Sequence, residues 1–126
     1  MKKHLFLLTL TVLIVSLLAS CSDTKIVDED FDQVTFYKIN SADKHEKVSV
    51  LTDKKKIEEL TDLINEGKRT NAQEIEFEKG PDGILLFENK NSKLELNIFT
   101  ETGHILTEEY YITSKIDINK YFGTKQ

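Results

Sequence analysis

Residues 80–99 read Gly80-Pro-Asp-Gly-Ile-Leu-Leu-Phe-Glu-Asn-Lys-Asn-Ser-Lys-Leu-Glu-Leu-Asn-Ile-Phe99, and this stretch decides the fold. Gly80-Pro81-Asp82-Gly83 is a turn, because proline presets φ and glycine accepts backbone angles that other residues avoid. Ile84-Leu85-Leu86-Phe87 is apolar at consecutive positions, so a strand here buries both faces and lies centrally in a sheet. Asn89-Lys90-Asn91-Ser92 is polar and short enough to reverse the chain. From Lys93 the pattern changes to alternation, with Leu94, Leu96 and Ile98 on one side and Lys93, Glu95 and Asn97 on the other. That is the pattern of a strand with one face on a core. Two strands joined by so short a link pair antiparallel.

Toward the C-terminus, Thr102-Gly103 makes another turn, and His104 to Ile112 forms a last strand carrying Ile105, Tyr110 and Ile112. Ser114-Lys115-Ile116-Asp117 resembles a capping box with Asp in place of Glu or Gln. A short helix follows, with Ile118, Tyr121 and Phe122 on one face and Gly123 at its end.

Toward the N-terminus, Ile75 and Phe77 alternate with Glu74, Glu76 and Glu78, which predicts a strand. Before it, Thr52-Asp53 starts a helix, since either side chain can accept a hydrogen bond from the first turn. Ile57, Leu60, Leu63 and Ile64 form one apolar stripe at helical spacing, and Lys54, Lys55, Glu58, Glu59 and Asp62 fill the other face. Gly67 suits the residue after the helix, and Lys68 and Arg69 suit the negative end of its dipole. Val34, Phe36, Tyr37 and Ile39 mark a first strand from Gln33, and the change of phase between Phe36 and Tyr37 predicts a bulge or two-sided burial. Ser41 to Glu46 is a polar turn, and Val48 and Val50 mark a short second strand. The predicted fold is α+β: a single small domain with an antiparallel sheet in the order β-β-α-β-β-β-β-α, its one main helix packed on one face.

The chain begins differently. Lys2 and Lys3 precede an apolar run from Leu5 to Leu18, then the small residues Ala19 and Ser20, then Cys21, the one cysteine of the 126-residue sequence. A charged start, an apolar stretch of about fourteen residues and small residues before a cut make a secretory signal, too short to span a bilayer comfortably. Leu18-Ala19-Ser20-Cys21 matches the lipobox of bacterial lipoproteins at all four positions. The resemblance implies that a diacylglyceryl group is attached to the Cys21 thiol, that cleavage falls between Ser20 and Cys21, and that fatty acyl chains such as palmitate hold the protein at the extracytoplasmic face of the cell membrane. The layout is similar to the small uncharacterised lipoproteins of Bacillus-type Gram-positive bacteria, the YhfM-like group. The residues that carry this likeness are Leu18–Cys21, Leu51-Thr-Asp-Lys-Lys-Lys-Ile57, Gly80-Pro-Asp-Gly-Ile84 and Tyr110-Tyr-Ile112. That group carries no known catalytic residues, so none are transferred.

The predicted organisation is therefore a signal peptide over residues 1–20, a flexible acidic tether over 21–32 and a globular domain over 33–126. The tether reading rests on Ser22-Asp23-Thr24-Lys25 and Asp28-Glu29-Asp30-Phe31-Asp32, a composition that buries little and spaces the domain off the membrane. After cleavage all 22 acidic residues but only 15 of the 17 basic ones remain, a net charge of −7. Such a domain gains nothing from a phosphate backbone, which disfavours nucleic acid as a partner. With Cys21 lipidated, no thiol remains for a disulfide.

The residues that could carry chemistry are few. His45 and His104 lack partners at metal-ligand spacing and read as surface residues, so no metal site or cofactor is expected beyond the lipid on Cys21. Asp28, Asp30 and Asp32 have the alternate spacing of calcium loops without the Gly and distant Glu of an EF-hand. Glu74, Glu76 and Glu78 on one strand face would lie about 7 Å apart, a separation glycosidases use, and read more plainly as a solvated edge. Lys54-Lys55-Lys56 at a helix start could hold an anion, and serves solubility equally well. Phe99, Tyr110 and Tyr111 are the candidate partner contacts, with one of the two tyrosines in the core and the other exposed. The expected function is a non-enzymatic binding or accessory module tethered to membrane lipid, with an envelope protein as its partner. The alternatives are a small-ligand or ion-binding lipoprotein and, behind it, an envelope hydrolase.

Overall fold

The computed structural model describes residues 24–123. The expected signal peptide and lipobox, with Cys21, lie outside the described residues. Seven strands form one antiparallel sheet: β1 (Gln33–Ile39), β2 (His45–Leu51), β3 (Lys68–Asn71), β4 (Gly83–Glu88), β5 (Lys93–Phe99), β6 (His104–Leu106) and β7 (Tyr110–Thr113). Their order in the sheet is β2-β1-β4-β5-β6-β7-β3. Helix α1 (Lys54–Glu66) joins β2 to β3, and α2 (Ile118–Phe122) ends the described chain. This is the expected α+β domain with one main helix.

The β4–β5 hairpin forms the middle of the sheet, with Leu85 opposite Leu96 and Phe87 opposite Leu94. Residues paired across strands share a face. The inner face therefore carries Val34, Phe36, Leu85, Phe87, Leu96, Ile98, Ile105 and Ile112, all buried. Ile57, Leu60 and Ile64 of α1 and Tyr121 and Phe122 of α2 close the same cluster from the other side. Both helices thus cover one face, and Leu86 and Ile84 point to the other. The predicted bulge is present: the register of β1 against β2 shifts between Phe36 and Tyr37.

Several local expectations change. Residues 74–78 are not a strand. Ala72–Glu74 make a short 3-10 turn and the chain then runs without regular structure to Gly83. The strand lies earlier, at Lys68–Asn71, where β3 pairs with β7. Lys68 and Arg69 are therefore strand residues rather than the basic end of a helix. Alternation alone misplaced the strand, because a pairing partner and not the local pattern selects the segment. The predicted strand His104–Ile112 is interrupted after Leu106, and its two halves pair with each other as a hairpin.

Gly67 does not take the left-handed angles of a helix cap, having φ of −61°. Glycine is needed there because an added Cβ would come within 2.7 Å of Ile112 Cγ2. The cap of α2 is Asp117, whose carboxylate accepts from the amides of Asn119 and Lys120. Ser114 is instead buried and donates its hydroxyl to the Gly103 carbonyl at 2.7 Å.

The largest correction concerns the expected tether. Val27 and Phe31 are 2% and 7% exposed and belong to the core cluster, with Ile26 packed beside them. The acidic residues around them are exposed. Composition averaged over the segment hides three apolar side chains that each find a place in the core. From Ile26 onward the segment is part of the domain.

Candidate functional site

The outer face of the sheet carries no helix among the described residues. Across it runs a register-aligned row: Tyr37 opposite Ile84, Ile84 opposite Asn97, Asn97 opposite Leu106, Leu106 opposite Tyr111, and Tyr111 opposite Thr70. One step along β5, Phe99 lies opposite His104. The loop after the 3-10 turn lays Phe77 onto this face. Its ring stacks on Phe99 at 5.4 Å between centroids and meets Tyr111 at 5.6 Å. Phe99 meets Tyr111 edge-on at 5.9 Å, and His104 meets Tyr111 edge-on at 5.5 Å. Four rings so form one continuous group, within the 4.5–7 Å range in which aromatic pairs attract.

This group differs from a core in its exposure. Phe77 is 36% exposed, and Phe99, Tyr111, His104 and Leu106 are all half-buried. Val50, at 38%, is the other large exposed apolar residue among the described residues and lies across the sheet on β2. Glu74, Glu76 and Glu78 are exposed around Phe77 and give this loop its negative charge. They occupy a turn and an irregular segment, so the strand geometry that would have aligned their carboxylates is not formed.

The candidate contact residues separate cleanly. Phe99 and Tyr111 lie together in the aromatic group. Tyr110 faces inward, packs against the core cluster and has the Arg69 guanidinium over its ring at 5.4 Å. Both tyrosines are half-buried, so neither is fully core or fully exposed; Tyr110 takes the inner face and Tyr111 the outer. Sequence reasoning missed Phe77 and His104. Alternation alone places Phe77 in a strand, and nothing local shows that its loop folds back. His104 had no ligand-spaced partner, yet pairing with Phe99 places it in the group. His45 begins β2 and is exposed, as expected.

His104 is partly buried in this group. Burial of its ring, and then the nearby Lys115 ammonium, lower its pKa below 6.5. Its Nδ1 accepts a hydrogen bond from the Lys115 amide at 3.4 Å.

The other sequence candidates are dispersed. Asp53 caps α1, and its carboxylate accepts from the amides of Lys55 and Lys56 at 3.0 and 3.4 Å. That satisfies the helix N-terminus internally, and Lys54, Lys55 and Lys56 are exposed. Asp28, Asp30 and Asp32 line a groove of about 500 Å³ against Glu58 and Asp62 of α1. Among the described residues no three His, Cys, Asp or Glu side chains converge closely enough to hold a metal ion. No described helix is long and apolar enough to cross a membrane. Compared with known protein families, curated proteins and solved structures, the chain matches none.

Proposed function

We propose that this chain is a lipid-anchored module at the extracytoplasmic face of the cell membrane that binds a protein partner of the envelope and is not itself an enzyme. The observation that carries the binding half is the aromatic group formed by Phe77, Phe99, Tyr111 and His104 on the sheet face that no described helix covers. Half-exposed aromatic rings held rigidly on a sheet are what the centres of protein interfaces are made of. Their mutual packing fixes them in place, so a partner meets a surface that is already ordered. The acidic loop beside Phe77 and the net charge of −7 favour a partner whose contact has an apolar centre and a basic rim. The membrane half rests on Leu18-Ala19-Ser20-Cys21, where two acyl chains would supply stable attachment.

A photo-reactive side chain placed at Tyr111 tests the binding half, with the same group at Lys55 on the far face as control. The expected result is one discrete adduct from position 111, lost in Phe77→Ala and Phe99→Ala. Equal labelling from both positions overturns the assignment. For the anchor, Cys21→Ala is expected to release the protein from membranes, and unchanged retention overturns it.

A second reading is small-ligand binding in the groove between the Asp28–Asp32 segment and α1. The groove itself favours it, with about 500 Å³ of space lined by Lys25 and Lys54 as well as by acidic side chains. Calcium titration followed by NMR tests this, and unshifted resonances at millimolar calcium discard it.

A further inference from the structure

We infer that the domain rides directly on the bilayer that carries its anchor, held by a leash of five residues rather than twelve. The inference rests on lipidation of Cys21 and adds where the domain then sits. Four contacts fix the segment that composition would leave free. The Asp32 amide donates to the Glu88 carbonyl at 2.9 Å, and Asn89 Nδ2 donates to the Asp30 carbonyl at 3.0 Å. The Phe31 ring meets Phe87 edge-on at 5.6 Å. Val27 is bonded through both its backbone amide and its carbonyl to the side chain of Asn65 on α1.

Ile26 is thus the first residue packed on the domain. The link from Cys21 to Ile26 spans at most about 18 Å fully extended, whereas a link from Cys21 to Gln33 would span about 43 Å. The chain leaves the domain beside Lys25, which shares a surface depression with Asn65, Glu66 and Arg69. This patch is therefore the one that meets the lipid headgroups. Lys25 and Arg69 on it are balanced by Asp62 and Glu66, so the shortness of the leash, and not charge, keeps the domain at the surface. A partner of the outer face must then present its own contact within one domain's height of the membrane.

Energy transfer from a label at Glu66→Cys to acceptor-labelled lipid headgroups tests this in the full chain, lipidated and reconstituted into vesicles. Ten Gly/Ser residues inserted between Asp23 and Thr24 should lower the transfer at least twofold. Val27→Asp combined with Phe31→Asp should lower it without any insertion. Transfer that is the same in the native and extended chains overturns the inference. Because the double variant perturbs the core, hydrogen exchange of the Val27 amide in the native protein provides an independent measurement. Slow exchange supports the docked segment, and exchange at the rate of a free peptide overturns it. The mass of the N-terminal peptide separates the two failures. An unmodified Cys21 removes the anchor and the inference with it, whereas a lipidated Cys21 with no change of transfer removes the leash alone.

Discussion

Val27 and Asn65, 38 residues apart in sequence, exchange two hydrogen bonds: the Val27 amide donates to Asn65 Oδ1 at 2.9 Å, and Asn65 Nδ2 donates to the Val27 carbonyl at 3.0 Å. An amide side chain imitates the edge of a strand here, supplying one acceptor and one donor to a backbone that has no strand beside it. Asn65→Leu strands both backbone groups of a buried residue, and each loses a bond worth about 1 kcal/mol. The variant should be less stable by about 1–3 kcal/mol in urea unfolding. Asn65→Gln, one methylene longer, should not restore it. A variant as stable as the native protein would show that the segment does not dock.

Asp53 sets the start of α1, accepting from the amides of Lys55 and Lys56. Removing such a cap typically costs about 1 kcal/mol. Asp53→Ala should lose that much in chemical unfolding, and Thr52→Ala should lose far less, because Thr52 makes no comparable bond to the first turn.

What the sequence revealed depended on how local the governing interaction was. The β4–β5 hairpin, the stripe of α1 and the Phe36–Tyr37 irregularity were legible, because each is written in consecutive side chains. Lys68–Asn71 was not, because its four polar residues become a strand only by pairing with β7. The docked segment was concealed for the opposite reason: its charges are local and visible, while the pockets for Val27 and Phe31 are built by α1 and β4. The candidate site was half legible. Phe99 and Tyr111 stood out as aromatics in strands, but Phe77 and His104 join them only through a loop crossing and a cross-strand register.

Gly103 has φ of +75°, and a Cβ there would lie 2.0 Å from the Ile116 carbonyl oxygen. Its own carbonyl accepts from the Ile116 amide and from the Ser114 hydroxyl, so the backbone cannot move aside without breaking both bonds. Steric overlap with main chain and an unfavourable φ act together. Gly103→Ala should destabilise by more than about 2 kcal/mol. Gly80→Ala, with open space around the site, should be close to neutral. Comparable melting temperatures for the two variants would contradict this account.

His104 makes stability depend on pH. Its folded pKa lies below 6.5, first because its ring is buried and second because Lys115 is near. The unfolded chain therefore binds a proton at higher pH than the folded one. The contribution is fully present above pH 6.5 and declines as pH falls through and below that value toward the folded pKa. Protonation also removes the Nδ1 acceptor used by the Lys115 amide. His104→Gln should flatten this part of the stability profile between the two pKa values, and an NMR titration of His104 should give a midpoint below 6.5. A midpoint above 6.5 would reverse the sign and refute the prediction.

Phe77 decides whether the aromatic group is a binding surface or simply a clasp for its loop. Its ring holds the irregular segment 75–82 to the sheet through Phe99 and Tyr111, yet it lies outside the core cluster. Phe77→Ala should therefore remove two aromatic pairs, each worth about 0.5–1.5 kcal/mol, partly offset because the ring is already 36% exposed. The expected loss is at most about 1–2 kcal/mol, with faster hydrogen exchange confined to the loop and unchanged protection in β4 and β5. Phe99→Leu separates the two roles further, since it keeps apolar contact under the loop but removes the stacked ring. If the face binds a partner through its rings, Phe99→Leu should lower partner cross-linking from Tyr111 severalfold while leaving loop exchange near its native rate. If the rings serve only as a clasp, cross-linking should follow loop exchange, falling in Phe77→Ala and staying near its native level in Phe99→Leu.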